Sequence, residues 1–210
     1  FRSGYDADAP ERFPGNWQRK RASWRDRDHI LVAAPWNEGL FQVMGVADAA
    51  TFSRAMSVLC EQPSLVEALM EHYADFLEAL IPRVLNGVAI DFALFYEAIA
   101  TPHATVISPR DYARFAIPAL RRTVESLERQ GVRYRVLRTS GDVRPLIPLW
   151  LDAGINGLVV TQTAEPGLRY TDLRRTYGRE LRLFGGIDWR AVVAGPEAID
   201  RVLRDTVEPL

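Results

Sequence analysis

The chain has 210 residues, of which 48% are hydrophobic and 25% charged, with 26 Lys plus Arg against 27 Asp plus Glu. Such a composition supplies enough apolar side chain for one large core and excludes disordered and fibrous classes. The near balance of charge leaves no net field to attract polyanions, so neither nucleic acid nor a membrane is expected as a partner.

The single cysteine, Cys60, cannot form an intrachain disulfide, and a reducing cytoplasm is the expected location. No apolar run approaches the roughly 18 to 20 residues needed to cross a bilayer. The stretch from Phe1 to Trp17 is charged and turn-rich, unlike an export signal. The chain opens on Phe1 rather than Met and stops at Leu210 in what reads as a helix end, so a fragment cut at both ends is expected.

Taken in order, Glu11 to Asp28 is rich in arginine and tryptophan and reads as helix or irregular surface, not as a separate domain. Ile30 to Ala34 is the first β-rich run. Cys60, amid helical residues, is expected to be a small buried hydrophobe. Pro63 to Leu85 carries Leu65, Leu69, Tyr73, Phe76, Leu77, Leu80 and Val84 at three- and four-residue spacing, one face of a long helix that Pro82 should kink or end early. A second strand follows over Val88 to Phe95.

Ser108-Pro109-Arg110-Asp111 combines a capping hydroxyl, a proline at the first helical position and a carboxylate in the first turn. It predicts a helix running to Gly131 with Pro118 inside it. Strands over Val132 to Leu137, Ile155 to Thr161 and Leu181 to Phe184 alternate with helices over Val143 to Ala153, Tyr170 to Tyr177 and Ala198 to Val207. Gly154 and Gly178 stop the first two helices, and Gly195-Pro196 precedes the third.

This alternation implies parallel strands with helical crossovers, in one domain spanning residues 1–210. An open doubly wound sheet would call for a glycine-rich phosphate loop after an early strand, and none appears. The barrel is the better reading, and in a barrel the chemistry sits at the carboxyl ends of the strands. That rule selects Pro35-Trp36-Asn37-Glu38, Tyr96-Glu97, Arg138-Thr139-Ser140-Gly141-Asp142, Thr161-Gln162 and Gly185-Gly186-Ile187-Asp188.

Phe184-Gly185-Gly186-Ile187-Asp188, followed by Gly195-Pro196-Glu197, resembles the late motif of the uroporphyrinogen decarboxylase superfamily, where a strand ends in Gly-Asn-(Leu/Ile)-Asp-Pro. Ala34-Pro35-Trp36, Leu94-Phe95-Tyr96-Glu97, Ile107-Ser108-Pro109 and Gly141-Asp142-Val143 are similar to other family stretches and fall in the family's order. The resemblance covers roughly residues 29 to 207. It implies an α/β fold, a (β/α)8 barrel of the uroporphyrinogen decarboxylase type, incomplete at both ends. Its cleft would accept a tetrapyrrole in the decarboxylases; in the related methyltransferases it would carry zinc and pass a methyl group involving a corrinoid or a thiol.

The family's equipment is only partly present. Phe41 stands where the resemblance implies a tyrosine, and Ala98 where it implies a serine. The zinc-binding His-x-Cys-Gly corresponds to Arg138-Thr139-Ser140-Gly141, in which a permanent cation and a hydroxyl replace imidazole and thiolate. No metal and no cofactor are therefore expected.

The candidate catalytic residues are Glu97 as acid or base and Asp188, which follows two permissive glycines. The candidate substrate-binding residues are Trp36, Glu38, Phe41, Arg138, Ser140 and Gln162. Glu97 and Arg138 end successive strands and are expected to meet at salt-bridge distance, as a functional pair or as a structural ion pair. Asp188 has the alternative role of capping a helix. His103 is a candidate proton donor or simply an exposed loop histidine. Trp17, Trp24, Trp36 and Phe41 are candidates to line an apolar cleft for a planar ligand, with helix packing the competing account for Trp17 and Trp24.

Two functions stay open. One is an enzyme acting on an anionic small-molecule substrate, tetrapyrrole- or methyl-donor-related, by decarboxylation or methyl transfer without zinc. The other is a catalytically silent barrel that binds a corrinoid, a porphyrin or a protein partner. A corrinoid protein and a second copy of the chain are the macromolecular partners considered.

Overall fold

Five short parallel strands lie side by side in the same order in which the chain makes them. The computed structural model describes residues 2–34, 38–160, 168–187 and 189–207. The strands are β1 (Val32–Ala33), β2 (Phe92–Glu97), β3 (Arg135–Thr139), β4 (Gly157–Val160) and β5 (Arg182–Phe184). Before β1 lies α1 (Trp17–Ser23). Between β1 and β2 come α2 (Leu40–Val43), α3 (Ala49–Glu61) and α4 (Pro63–Leu85). The later connections carry α5 (Pro109–Phe115) and α6 (Ile117–Arg129), then α7 (Ile147–Asp152), then α8 (Tyr170–Tyr177). After β5 follow α9 (Trp189–Ala194), α10 (Pro196–Val202) and a π-helical turn at Leu203–Val207.

Sequential order is the signature of a barrel, because a doubly wound sheet reverses direction at a switch point and a barrel never does. Curvature supports the same conclusion. Phe92 on β2 and Phe184 on β5 are separated by two intervening strands, which in a flat sheet would hold their backbones roughly 14 Å apart. Their ring centroids are nonetheless 5.7 Å apart. The sheet curls toward the face that carries these rings, and a bare Gly157 on β4 leaves room for the Phe184 ring to lie across it. The chain therefore has the α/β fold of a (β/α) barrel, with five strands among the described residues.

The helices cover the other, convex face. Along β2 the alternation of partly and fully buried residues puts Ala93, Phe95 and Glu97 toward the helices. Leu137 on β3 and Leu158 on β4 continue that layer, packed in one core with Leu77 and Ile81 of α4, Leu127 of α6 and Trp150 of α7. Arg122 of α6 bonds Asp75, at 2.7 Å, and Glu78 of α4, clamping the two helices along their solvent side.

Several expected boundaries move for local reasons. β2 begins at Phe92, not Val88, because Val88 N–H turns back to the Leu85 carbonyl at 2.7 Å and Asp91 accepts the N–H of Leu31 at 2.7 Å. β3 begins at Arg135, not Val132, since Val132 N–H closes the end of α6 on the Leu127 carbonyl at 3.0 Å. α7 is shorter than the expected helix from Val143 and starts at Ile147.

Both internal prolines behave differently from expectation. α4 runs through Pro82 to Leu85, because a proline in the last turn forfeits one hydrogen bond while its own carbonyl still accepts Asn86 N–H at 3.0 Å. The helix expected from Ser108 to Gly131 is two helices. It breaks at Ala116, and Pro118 falls in the first turn of α6, where no N–H is required of it. Ser108 caps α5 as expected, its hydroxyl accepting Asp111 N–H at 3.0 Å.

Cys60 is exposed near the end of α3, a correction to its expected burial; Ala55 and Leu59 form the buried face of that helix. Among the described residues, no helix is long and apolar enough to cross a membrane.

Candidate functional site

The carboxyl ends of β2 and β3 bring Glu97 and Arg138 onto neighbouring strands but orient them to opposite sides. Register decides this. Glu97 pairs with Thr139 and Tyr96 with Arg138, so Glu97 and Arg138 belong to different rows of the pleat. The expected meeting of Glu97 with Arg138 is thus corrected: the former faces the helices and the latter the concave side. Arg138 is exposed, and its guanidinium stands 5.9 Å from the centroid of the Tyr96 ring, a long cation–π contact.

Glu97 is 4% exposed and sits in a chain of hydrogen bonds that ties β2 to β3, α2, α5 and α7. Its Oε2 accepts the Tyr112 hydroxyl of α5 at 2.9 Å and, at a longer 3.4 Å, the N–H of Leu40 at the start of α2. Tyr112 in turn accepts the indole N–H of Trp150 on α7 at 3.0 Å. From β3, Thr139 Oγ1 donates to the Glu97 carbonyl at 2.8 Å. The other carboxyl oxygen, Oε1, is buried with no hydrogen-bond partner among the described residues.

Electrostatics follow from this packing. Desolvation raises the pKa of Glu97 from 4.5 to about 7, against the opposing pull of the Tyr112 hydroxyl and the Leu40 N–H. Burial, and then the nearby carboxyl, push the Tyr112 phenol well above its ordinary value.

The fit around Glu97 depends on Gly39. A Cβ built there would lie 2.1 Å from Glu97 Oε1, so the turn into α2 approaches the carboxyl as closely as only glycine permits. Glu97 thereby fixes the backbone immediately following the Pro35 to Glu38 stretch.

Glu38 is exposed and accepts the Tyr5 hydroxyl at 2.9 Å, which links the amino-terminal segment to the residues just before α2. Burial and Glu38 raise the Tyr5 phenol to about 12. Ser140, after β3, is half-buried. Phe41 is buried at 3% exposure on α2 and packs at a tilt against Phe52, ring centroids 5.2 Å apart. Its expected place in an open cleft is corrected to a place in the core, because the short α2 turns that ring inward. His103 is exposed in the loop after β2. Trp36, Gln162 and Asp188 lie outside the described residues.

At the end of β5, Tyr170 of α8 closes the sheet. Its hydroxyl accepts Val160 N–H at 3.0 Å and donates to the Phe184 carbonyl at 2.6 Å, bridging the last residues of β4 and β5. Of the two glycines before Ile187, Gly186 is the one closely approached. Gly186 has φ +90°, and a Cβ there would lie 2.6 Å from the Tyr170 ring. Tyr5, Gly39, Tyr112, Trp150 and Tyr170 were not singled out from the sequence. Tyr112 and Tyr170 fit the apolar periodicity of their helices and so pass for core, although a buried phenol usually needs a polar partner.

A curved parallel sheet with sequential strands and polar groups at its carboxyl end defines the chain as a (β/α)-barrel protein of the kind that carries its site at that end. Residues 31–209 match the family Uroporphyrinogen decarboxylase (URO-D), and the chain belongs to it. Over 173 residues it is 24% identical to "Uroporphyrinogen decarboxylase" of Hydrogenovibrio crunogenus, covering 79% of this chain and 45% of that protein. Over 187 residues it is 22% identical to "Uroporphyrinogen decarboxylase 2, chloroplastic" of Arabidopsis thaliana, covering 85% and 43%. The chain thus spans less than half the length of these curated relatives. A solved methyltransferase from Methanosarcina mazei shares the fold with a TM-score of 0.64 at 17% identity, covering 93% of this chain and 56% of that one.

Zinc, implied by the resemblance to the methyltransferases, does not suit the residues present at the corresponding stretch. Arg138 is a cation with no lone pair to give, and Ser140 offers a neutral hydroxyl where the metal would need a thiolate. Among the described residues, no group of three His, Cys, Asp or Glu is arranged to hold a metal ion.

Proposed function

We propose that the chain is the anion-recognising portion of a uroporphyrinogen decarboxylase-superfamily enzyme, acting on a carboxylated, tetrapyrrole- or methyl-donor-related substrate by decarboxylation or methyl transfer without zinc. The observation that carries this reading is Arg138. It is a permanently charged guanidinium, exposed on the concave face at the carboxyl end of a central strand, with an aromatic ring beside it and no carboxylate paired to it among the described residues. A cation so placed suits a carboxylate on a planar molecule, since the guanidinium can hold the anion in two parallel hydrogen bonds while Tyr96 meets the apolar body.

In this reading Arg138 binds the substrate, with Trp36, Glu38, Ser140 and Gln162 as further contacts from the neighbouring strand ends. Asp188 is the proton-transferring carboxylate. Glu97 acts at one remove: it is a positioning residue that holds the turn after β1 and the start of α5 in register with the mouth. A small-molecule substrate in a reducing cytoplasm, with a corrinoid protein or a second copy of the chain as macromolecular partner, completes the proposal.

A second reading, a catalytically silent barrel that binds a corrinoid, porphyrin or protein, is favoured by one observation. Glu97, the acid or base nominated from sequence, is sealed on the helix side of the sheet. The test is visible-absorbance titration of the full-length protein with uroporphyrin and with cobalamin, run beside assays for carbon dioxide release and methyl transfer. Turnover that is lost in Arg138→Met and Asp188→Asn, with folding retained, supports the enzyme. Ligand binding without either product supports the silent barrel. Binding unaffected by Arg138→Met overturns the role given to that residue in both.

A further inference from the structure

A cavity of about 400 Å³ lies where α1, the last two turns of α4 and β1 come together, and neither Glu97 nor Arg138 lines it. Its walls are apolar. Leu80 and Val84 supply one side, Ala33 and Ala34 another, and aromatic rings a third. The rings form a continuous edge: Phe13 and Trp17 are 5.5 Å apart, and Trp17 and Trp24 meet at 5.4 Å in a T-shaped contact. The volume falls within the usual range of small-molecule sites, on the order of 300 to 1,000 Å³.

Two polar features distinguish this cavity from a packing defect. Arg12 forms part of the lining, held in place by the carbonyls of Asp6 and Gly4 and by the Phe76 ring 4.6 Å from its guanidinium carbon. No carboxylate neutralises it among the described residues. Trp17, also in the wall, has a buried indole N–H with no acceptor among the described residues. A buried donor left without an acceptor is costly, and a ligand oxygen would relieve it. An apolar chamber with aromatic edges, one fixed cation and one unspent donor complements a flat apolar molecule that ends in an anionic oxygen.

We propose that this cavity is a binding site for an aryl carboxylate of about two fused rings, separate from the Arg138 region and independent of the function proposed for it. The Trp17 and Trp24 side chains give the aromatic surface and Arg12 the counter-charge. The ligand stands where packing between α1 and α4 alone leaves space.

The experiment is isothermal titration calorimetry of the full-length protein with 2-naphthoate and with its neutral isostere 2-naphthamide. The expected result is saturable binding of naphthoate, at least tenfold tighter than the amide. Arg12→Met should erase that preference by weakening naphthoate alone, and Val84→Phe, which fills the chamber, should abolish binding of both. Arg138→Met should leave the Arg12-dependent binding of naphthoate in place. Absence of saturable binding, equal affinity for acid and amide, or loss of naphthoate binding in Arg138→Met would each overturn the proposal. So would naphthoate binding that survives Val84→Phe in a protein that melts like the parent. Should Val84→Phe fail to fold, the Arg12→Met comparison decides alone. Binding confined to dilute, monomeric protein in analytical ultracentrifugation would reassign the cavity to a contact between copies and overturn the ligand site.

Discussion

The hydroxyl of Tyr112 donates to Oε2 of Glu97 across 2.9 Å, in a place where the carboxyl is 4% exposed. One helix thus supplies the partner for an ionisable group at the end of a strand, and the indole of Trp150 supplies the partner for that partner. A buried carboxyl with one oxygen bonded and the other unmatched is most stable when neutral.

That neutrality gives stability a measurable pH dependence. In the unfolded chain Glu97 releases its proton near the ordinary 4.5, while in the folded chain it keeps the proton to about 7. Between those values the native state binds more protons, so this group's contribution is full below the lower value and is lost as pH rises through the upper one. The shift corresponds to about 3 kcal/mol. Glu97→Gln removes the proton from the balance. Urea unfolding of both proteins from pH 4.5 to 8 should show the variant gaining on the parent by that order as pH rises; a pH-independent difference would refute the raised pKa.

Gly39→Ala is expected to destabilise the protein by about 2 kcal/mol or more, since the new methyl would collide with Glu97 Oε1. Gly39 has φ −76°, so backbone strain plays no part in the effect. Shortening the acid relieves the collision. In a double-mutant cycle with Glu97→Ala, the two losses should sum to more than the measured loss of the double variant, by roughly 0.5 to 3 kcal/mol. Strict additivity would mean that the two side chains do not share the space.

Tyr170→Phe keeps the ring against Gly186 but removes the oxygen that joins Val160 N–H to the Phe184 carbonyl. A loss of about 1 to 3 kcal/mol is expected, in the range for leaving a buried donor unpaired. Amide hydrogen exchange at Val160 should accelerate more than at Leu137, which lies in the central strand; equal changes at both would place the effect elsewhere.

Arg138→Met should leave the melting temperature within about 2 °C of the parent's, because an exposed side chain with one long ring contact contributes little to folding. Affinity for a carboxylated substrate should fall at least tenfold in the same variant. Thermal melting and equilibrium binding on one preparation check both parts. A drop of 10 °C would make Arg138 structural.

Much of the scaffold was legible because period and punctuation act locally. The five strands, the Ser108 cap, and the Tyr170–Tyr177 helix with Gly178 at its end all arise from residues within a few positions of one another. Pro118 shows the limit. A proline within an apparent helix and a proline in the first turn of a new one look alike until the break at Ala116 is seen. The site was less legible. Pleat alternation in one strand tells which residues share its faces, but the relation of Glu97 to Arg138 depends on the register of two strands some 40 positions apart in the chain, with Glu97 opposite Thr139. Phe41 was read from motif position, and its burial follows from the direction in which a four-residue helix presents it.

Strand order has a consequence for how the chain acquires its structure. Among the described residues each strand bonds to the one made before it and the one made after it, so during synthesis a newly emerged βα unit meets a finished template for its own hydrogen bonds. Assembly can then advance from the amino-terminal side with loops of a few dozen residues to close at each step, and the entropy lost in each closure grows only slowly with loop length. A growing chain built this way gains order one unit at a time and need not wait for its last residue.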